Sequence, residues 1–359
     1  MVTMDTSIPT TRRPIGDRRV LAVRVIWLSA FVLAVTIVAS LTVGASGTSL
    51  FAALIDWVQG REIGLREQVI LFDIRAPRTL MGALVGASLA VSGAVMQGLF
   101  RNPLADPGLV GVSAGAGLGA ILAIVLGGML PPAIAALTGI YTVPVAAFFG
   151  GWLTTMLLYK VATNRGRTSV AVMLLAGIAV GALSGALSGV LVYMADDTQL
   201  RDLTFWGLGS LAGATWGKFA VAAPLILLSL ATTPFLAKGL NGLTLGEATA
   251  EHLGIRVQRL KNIAILTVAG ATGAAVAVSG GIGFVGIVVP HLLRLAIGPD
   301  HRYLLPASAF LGATLLLIAD MISRTIIAPA ELPIGIVTAT IGGPFFLYIL
   351  LRNRGILDM

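Results

Sequence analysis

Long apolar stretches broken by short polar ones dominate the chain. Ten of these stretches are candidate spans, at 21–43, 79–99, 108–127, 140–159, 169–194, 217–236, 262–280, 284–298, 304–326 and 334–351. Runs of about 20 apolar residues fit the hydrocarbon core of a bilayer, about 30 Å thick, when coiled as helices. The pattern therefore predicts an all-α polytopic membrane protein, with a tail at 1–20, a transmembrane domain over 21–351 and a second tail at 352–359. Only "GGIG" (280–283) separates the seventh and eighth spans, so the boundary there is the least sharply drawn. The first apolar run follows Arg12, Arg13, Arg18, Arg19 and Arg24 and is too long for a signal h-region, which favours a retained first span.

Composition sharpens this reading. Of 359 residues, 57% are hydrophobic and 11% charged, and the mean hydropathy is +0.94. Soluble domains carry about 25% charged residues. The net charge of +8 could suggest a nucleic-acid partner, but the basic residues flank apolar spans. With ten spans both termini share one side; that side holds seventeen of the 24 Lys and Arg residues, which the positive-inside rule makes cytoplasmic. There is no cysteine, hence no disulfide or thiolate chemistry.

One segment breaks the apolar regime. "NGLTLGEATAEHLGIRVQRLK" (241–261) lies between spans six and seven, on the cytoplasmic side. Leu245, Ala248, Thr249 and Leu253 recur at helical spacing, Glu247 and Glu251 occupy another side, and Gly254 suits a helix C-terminus. A short amphipathic helix of this kind could lie on lipid or be gripped by a soluble partner; its two glutamates disfavour an anionic lipid surface.

Gly177, Gly181, Gly185 and Gly189 stand four apart on span five, forming a smooth stripe. Such a stripe suits close helix packing, and equally the wall of a passage or a sliding subunit interface. Intramembrane charge is scarce: Asp320 is the chief candidate, with Arg324 four residues on as its partner. His252, His291 and His301 show no metal-ligand spacing, and no phosphate-binding loop occurs, so no metal site and no nucleotide site is expected on this chain. "ASLAVSG" (87–93) echoes "AAVAVSG" (274–280), and Pro103 and Gly111 recur as Pro290 and Gly298 at the same offset. Five spans apart, the copies would run in opposite directions, as in transporters built from inverted repeats.

"IRAPRTLMGALVGASLAVSGAVMQGLFRNPLADPGLVGVSAGAG", "LTLGEATAEHLGI", "GGIGFVGIVVPHLLRL", "HRYLLPASAFLGATLLLIADMISR" and "ELPIGIVTATIGGPFFLYILL" resemble, in this order, the permease subunits of ABC importers for ferric siderophores, haem and cobalamin. The resemblance covers about residues 70–351. It implies a ten-helix subunit of the type II importer fold, working as a homodimer in the bacterial inner membrane. Its partners would be two ATP-binding subunits, which hold ATP and Mg, and a periplasmic substrate-binding protein.

By motif, Leu245, Gly246, Glu247, Ala248, Leu253 and Gly254 would form the element that couples to the ATPase. Arg75 and Arg324 would meet acidic residues of the binding protein. The glycine stripe, Thr338 and Thr340 would lie near the passage. "TFWGLGSLAGATW" (204–216) looks most like the haem permeases, so the expected cargo is an iron chelate, haem first and a ferric siderophore next. An ATP-independent transporter or channel is the alternative from another class; an intramembrane enzyme would need a convergent Ser/His or paired-Asp site.

Overall fold

The computed structural model describes residues 18–44, 50–61, 63–165 and 167–352. Most of both tails therefore falls outside the described residues, and the N-terminal tail is shorter than expected because α1 (Arg18–Thr42) already begins at Arg18. After α1 come α2 (Leu50–Val58), α3 (Leu65–Gln68), a π-helical segment at Val69–Arg75 and α4 (Ala76–Phe100). Next are α5 (Val112–Leu126), α6 (Pro132–Thr138), α7 (Thr142–Ala162) and α8 (Val170–Met194). The chain continues through α9 (Asp197–Gly207), α10 (Trp216–Leu243), α11 (Glu247–His252) and α12 (Val257–Ser279). It ends with α13 (Val285–Ile297), α14 (His301–Ser323) and α15 (Ile334–Arg352). A two-residue hairpin, 163–164 with 167–168, joins α7 to α8.

Among the described residues, eight helical stretches are long and apolar enough to cross a membrane, and α13 and α15 are shorter apolar helices. All ten expected spans thus have a helical counterpart. The second differs most: its helix starts at Leu65 rather than near residue 79, because "LREQVILFDIR" coils on through a π-helical turn. A π-segment inserts an extra residue into the ladder and rotates the helix beyond it.

Helix α4 is the buried axis. Nearly all of its residues from Pro77 to Leu99 are buried, many of them Ala, Gly and Ser, and α10, α12, α13 and α14 pack around it. Gly86 and Gly312 meet backbone to backbone where α4 crosses α14, and Gly93 meets the backbone of Gly286 where it crosses α13. A Cβ on Gly86 or Gly93 would collide with a carbonyl oxygen, so the glycines set the close approach.

The neighbour pattern repeats. α4 packs on α14 as α12 packs on α7; α13 touches α15 as α5 touches α8; and α14 touches α15 as α7 touches α8. Two four-helix units exchange their first helices. The local echo is looser than the expected offset: Pro103 lies in a turn, whereas Pro290 lies inside α13.

Charge fixes one end of the bundle. Asp320 on α14 is fully buried, and its main partner is Arg78 on α4, whose Nη2 and Nε donate to Oδ1 at 2.8 and 3.0 Å. Arg78 Nη1 also donates to Glu331 at 2.8 Å. The expected i,i+4 partner, Arg324, stands farther off, with Nε 3.6 Å from Asp320 Oδ2. Its Nη2 donates instead to the carbonyl and hydroxyl of Ser40, both at 2.8 Å, while Arg75 Nη1 donates to the carbonyls of Leu41 and Thr42 at 2.7 and 3.0 Å. Two arginines therefore satisfy the carbonyls that α1 leaves open at its C-terminus, where cations are favoured.

Removing one partner of a buried ion pair costs about 3–5 kcal/mol because the other charge is stranded. Asp320→Ala is expected to lower unfolding stability in detergent by that amount. Glu331→Gln, at the half-exposed position, should cost about 1 kcal/mol or less. Equal losses in a denaturant titration would show that the buried pair carries no special weight.

Candidate coupling site and passage face

At the opposite end of the bundle the chain leaves α10, turns through Thr244–Gly246 and forms α11. Gly246 holds φ 99° and ψ 155°, a region essentially confined to glycine. The far end is a Schellman cap: Ile255 N donates to Ala250 O at 3.0 Å, Gly254 N to Glu251 O at 2.9 Å, and Gly254 holds φ 81°. Ala250 is fully buried and, with Ile255, packs over Gly242 at the end of α10.

The apolar side read from the sequence faces outward: Leu245, Ala248, Thr249 and Leu253 are all exposed, Leu245 and Leu253 each at 62%. The inward anchor is Ala250, a single small residue that periodicity could not single out.

Glu247 ties the helix down. Its carboxylate pairs with Lys261 Nζ on α12 at 2.8 Å, and the same ammonium donates to the carbonyl of Thr168 in the hairpin. Gln258 bridges to Thr168 and Asn262, and Asn262 accepts from the Tyr159 hydroxyl on α7. Beside this lies "RNPLADPG": Arg101 ends α4 in the left-handed region, and a Cβ built on Gly246 would lie 4.0 Å from its guanidinium. Asp106 caps the next 3-10 turn by accepting from Gly108 N at 2.7 Å; burial pushes its carboxyl pKa up, against that hydrogen bond.

Asn241, at the end of α10, donates to Asp300 and accepts from His301 N, which joins α10 to α14. Partial burial opposes ionisation of Asp300, yet hydrogen bonds from Arg302 and Asn241 hold its pKa at about 2. An outward apolar rod is thus linked to four span ends: α10 and α12 through its own connections, α7 through Tyr159, and α4 through Arg101.

The stripe on α8 divides in two. A Cβ on Gly177 would press on the carbonyl of Leu109, a seam within the subunit; on Gly181, Gly185 and Gly189 it would meet nothing within 4 Å. Most of α8 is exposed, with only Met173, Ser184 and Leu191 buried. Thr340 shares that accessibility. Thr338 does not: it is buried, its hydroxyl turned back onto the carbonyl of Gly335, away from any open face.

Arg75 and Arg324 are both buried, at 4% and 6% exposure, and are held on backbone carbonyls at the end of α1. Sequence reasoning missed Arg78 and Glu331, although Arg78 stands in the same "IRAPR" motif as Arg75. It also missed a junction of three irregular segments. Ser210 N donates to Ser279 O, Ile334 N to Gly209 O and Gly335 N to Leu208 O, at 2.7 to 3.0 Å, joining the segment after α9 to the end of α12 and the start of α15. The glycines of "GLGS" and "GGIG" were its only trace. Among the described residues no group of three His, Asp or Glu is placed to hold a metal ion.

A glycine-packed helical bundle with two exchanged repeats and a protruding amphipathic rod is the architecture of an ABC importer permease, a translocation subunit. The chain belongs to the FecCD transport family, which matches residues 32–352. It is 49% identical over 285 residues to the hemin transport system permease protein HmuU of Yersinia pestis, covering 79% of this chain and 84% of that protein. It is 45% identical to the cobalamin import system permease protein BtuC of Halobacterium salinarum, covering 80% and 74%. Among solved structures it resembles a metal-chelate type ABC transporter in an inward-facing conformation, with TM-score 0.80 and 32% identity over 92% of this chain and 99% of that one. PsaBC from Streptococcus pneumoniae shares the fold at TM-score 0.53 and 16% identity.

Two outcomes test this geometry. Gly246→Val should cost about 1–3 kcal/mol of local stability, read as faster hydrogen exchange of the α11 amides with the span amides unchanged. Gly185→Leu should leave the subunit's own unfolding unchanged, since its Cβ meets open space, while lowering transport or self-association. A destabilised subunit with normal transport would reverse that assignment.

Proposed function

We propose that this permease works as a homodimer in the bacterial inner membrane, both termini cytoplasmic, and imports haem by alternating access. Two partner subunits hydrolyse ATP, and a periplasmic binding protein delivers the cargo. The observation that carries the reading is α11: an apolar face presented outward on a rod whose other contacts all lead into span ends. A cleft in an ATPase that accepted Leu245 and Leu253 and then closed would pull α10 and α12 together with it. Gly246 and Gly254 are the turns that let so short a helix reverse direction twice, and Glu247 holds it in register through Lys261.

The smooth face of Gly181, Gly185 and Gly189, with Thr340, is the surface proposed to meet the second copy and to line the passage. With no side chain there, two helices can approach closely and slide without interlocking. At the outer end, Arg75 and Arg324 serve docking from beneath: they fix the rim of α1 and α14, and Glu331 is the charged group left accessible beside it. Haem is favoured by the likeness to the hemin permease and by a passage face without histidine; cobalamin is the other reading, favoured by the relatives that carry it.

Reconstitution in liposomes with the cognate ATPase and binding protein tests both levels. Leu253→Arg is expected to abolish substrate-stimulated ATP hydrolysis, and wild-type vesicles are expected to take up haem in preference to cobalamin or a ferric siderophore. Uptake without any ATPase would end the coupling assignment; preferential cobalamin uptake would leave the coupling intact and replace the cargo.

A further inference from the structure

An apolar groove of about 320 Å³ opens between α7, α10 and α12, walled by Phe148, Phe149, Val221, Leu225 and Ala277. That lies at the lower end of small-ligand sites, roughly 300–1,000 Å³. Along α10 it runs from Lys218 to Leu225, about two helical turns or roughly 10 Å. Lys218 and Tyr141 are the polar residues on its rim. A second cavity of about 490 Å³ adjoins it and shares Pro144, Lys218, Ala277 and Val278; into this one Asp202 of α9 and Ser210 also open. Lys218 thus stands in the wall common to a dry groove and a polar chamber, at the start of a helix that crosses the bilayer.

Its ammonium has three protons, and one is donated to Gly213 O at 3.0 Å, so two remain for another acceptor. The chamber beyond carries a carboxylate, which disfavours a purely anionic occupant and favours one that also carries an amine. We propose that this composite site binds a phospholipid with a phosphoethanolamine head. One acyl chain lies in the groove, the phosphate accepts from Lys218, and the ammonium reaches Asp202. The charges are complementary in the order that such a head group presents them, and the groove lies on the tail side of Lys218.

The cavity of about 370 Å³ between α10 and α14 provides an internal contrast. It too has a basic residue on its rim, but Arg302 is clamped on Asp300, with Nη2 to Oδ2 at 2.6 Å and Nε to Oδ2 at 3.0 Å. Its charge is neutralised in place, so it gives a phosphate little reason to bind.

The test uses the full-length chain, delipidated in mild detergent and titrated with phosphatidylethanolamine, phosphatidylglycerol or phosphatidylcholine of matched chains, with retained lipid counted by native mass spectrometry. One phosphatidylethanolamine per chain is expected, held at least about ten-fold more tightly than the other two, the scale of one charge-assisted hydrogen bond. Lys218→Ala should lower retention of all three, Asp202→Asn should erase the preference for phosphatidylethanolamine over phosphatidylglycerol, and Arg302→Ala should change neither. Ala277→Phe, which fills the groove, should lower retention of all three. Equal retention by wild type and Lys218→Ala, or a wild-type preference for phosphatidylglycerol, would overturn the proposal. So would a cross-link between two copies through Phe149→Cys in a bilayer, which would show a second chain covering the groove.

Discussion

The bidentate contact between Arg78 and the fully buried Asp320 is the constraint on which the rest of the bundle depends. A bare carboxylate in that environment would cost many kcal/mol, so α4 and α14 cannot separate without stranding two charges. The glycine crossings between the same two helices then add close packing, but apolar contact alone gives little orientation in lipid, where the alternative surroundings are equally apolar. The ion pair supplies direction, and Arg75 and Arg324 extend it to α1 by meeting that helix's unpaired carbonyls. One end of the subunit is therefore held by electrostatics.

The other end is built on different principles. There the ties are single contacts: a Schellman cap, the Asn241 amide on Asp300, and a pair whose Lys261 is buried and whose Glu247 is half open to water. Such contacts are individually weak and adjustable. A stiff end and a compliant end on one set of helices fit the proposed coupling, in which motion imposed at the compliant end would be resisted at the stiff one and become a change of helix angle.

Much of this was legible in the sequence. Each of the ten apolar stretches has a helical counterpart, because a segment in lipid must satisfy its own backbone by coiling, and eight of the described helical stretches are long and apolar enough to cross a membrane. The amphipathic rod was found because charge is so scarce that any polar run stands out. Partner choice was less legible. Asp320 pairs mainly across 242 positions with Arg78 rather than across one turn with Arg324, because α4, packed along α14, carries Arg78 buried against it. Thr338 and Thr340 looked alike in the sequence, and only the rotation of α15 sends one inward and the other out. The burial of Arg75 and Arg324 was hidden for a similar reason: their acceptors are backbone carbonyls of α1, which no residue type advertises.

The helical stretch from Leu65 to Phe100 spans 36 residues. At about 1.5 Å per residue it is roughly 50 Å long, far more than a hydrocarbon slab of about 30 Å can hide. Since its lower part is locked upright among four neighbours, it cannot absorb the mismatch by tilting alone. Its first turns must rise beyond the lipid as a post, braced where Trp216 donates to the carbonyl of Phe72. A load applied above the lipid would therefore reach the buried axis, and with it the protein's centre, through a single rod.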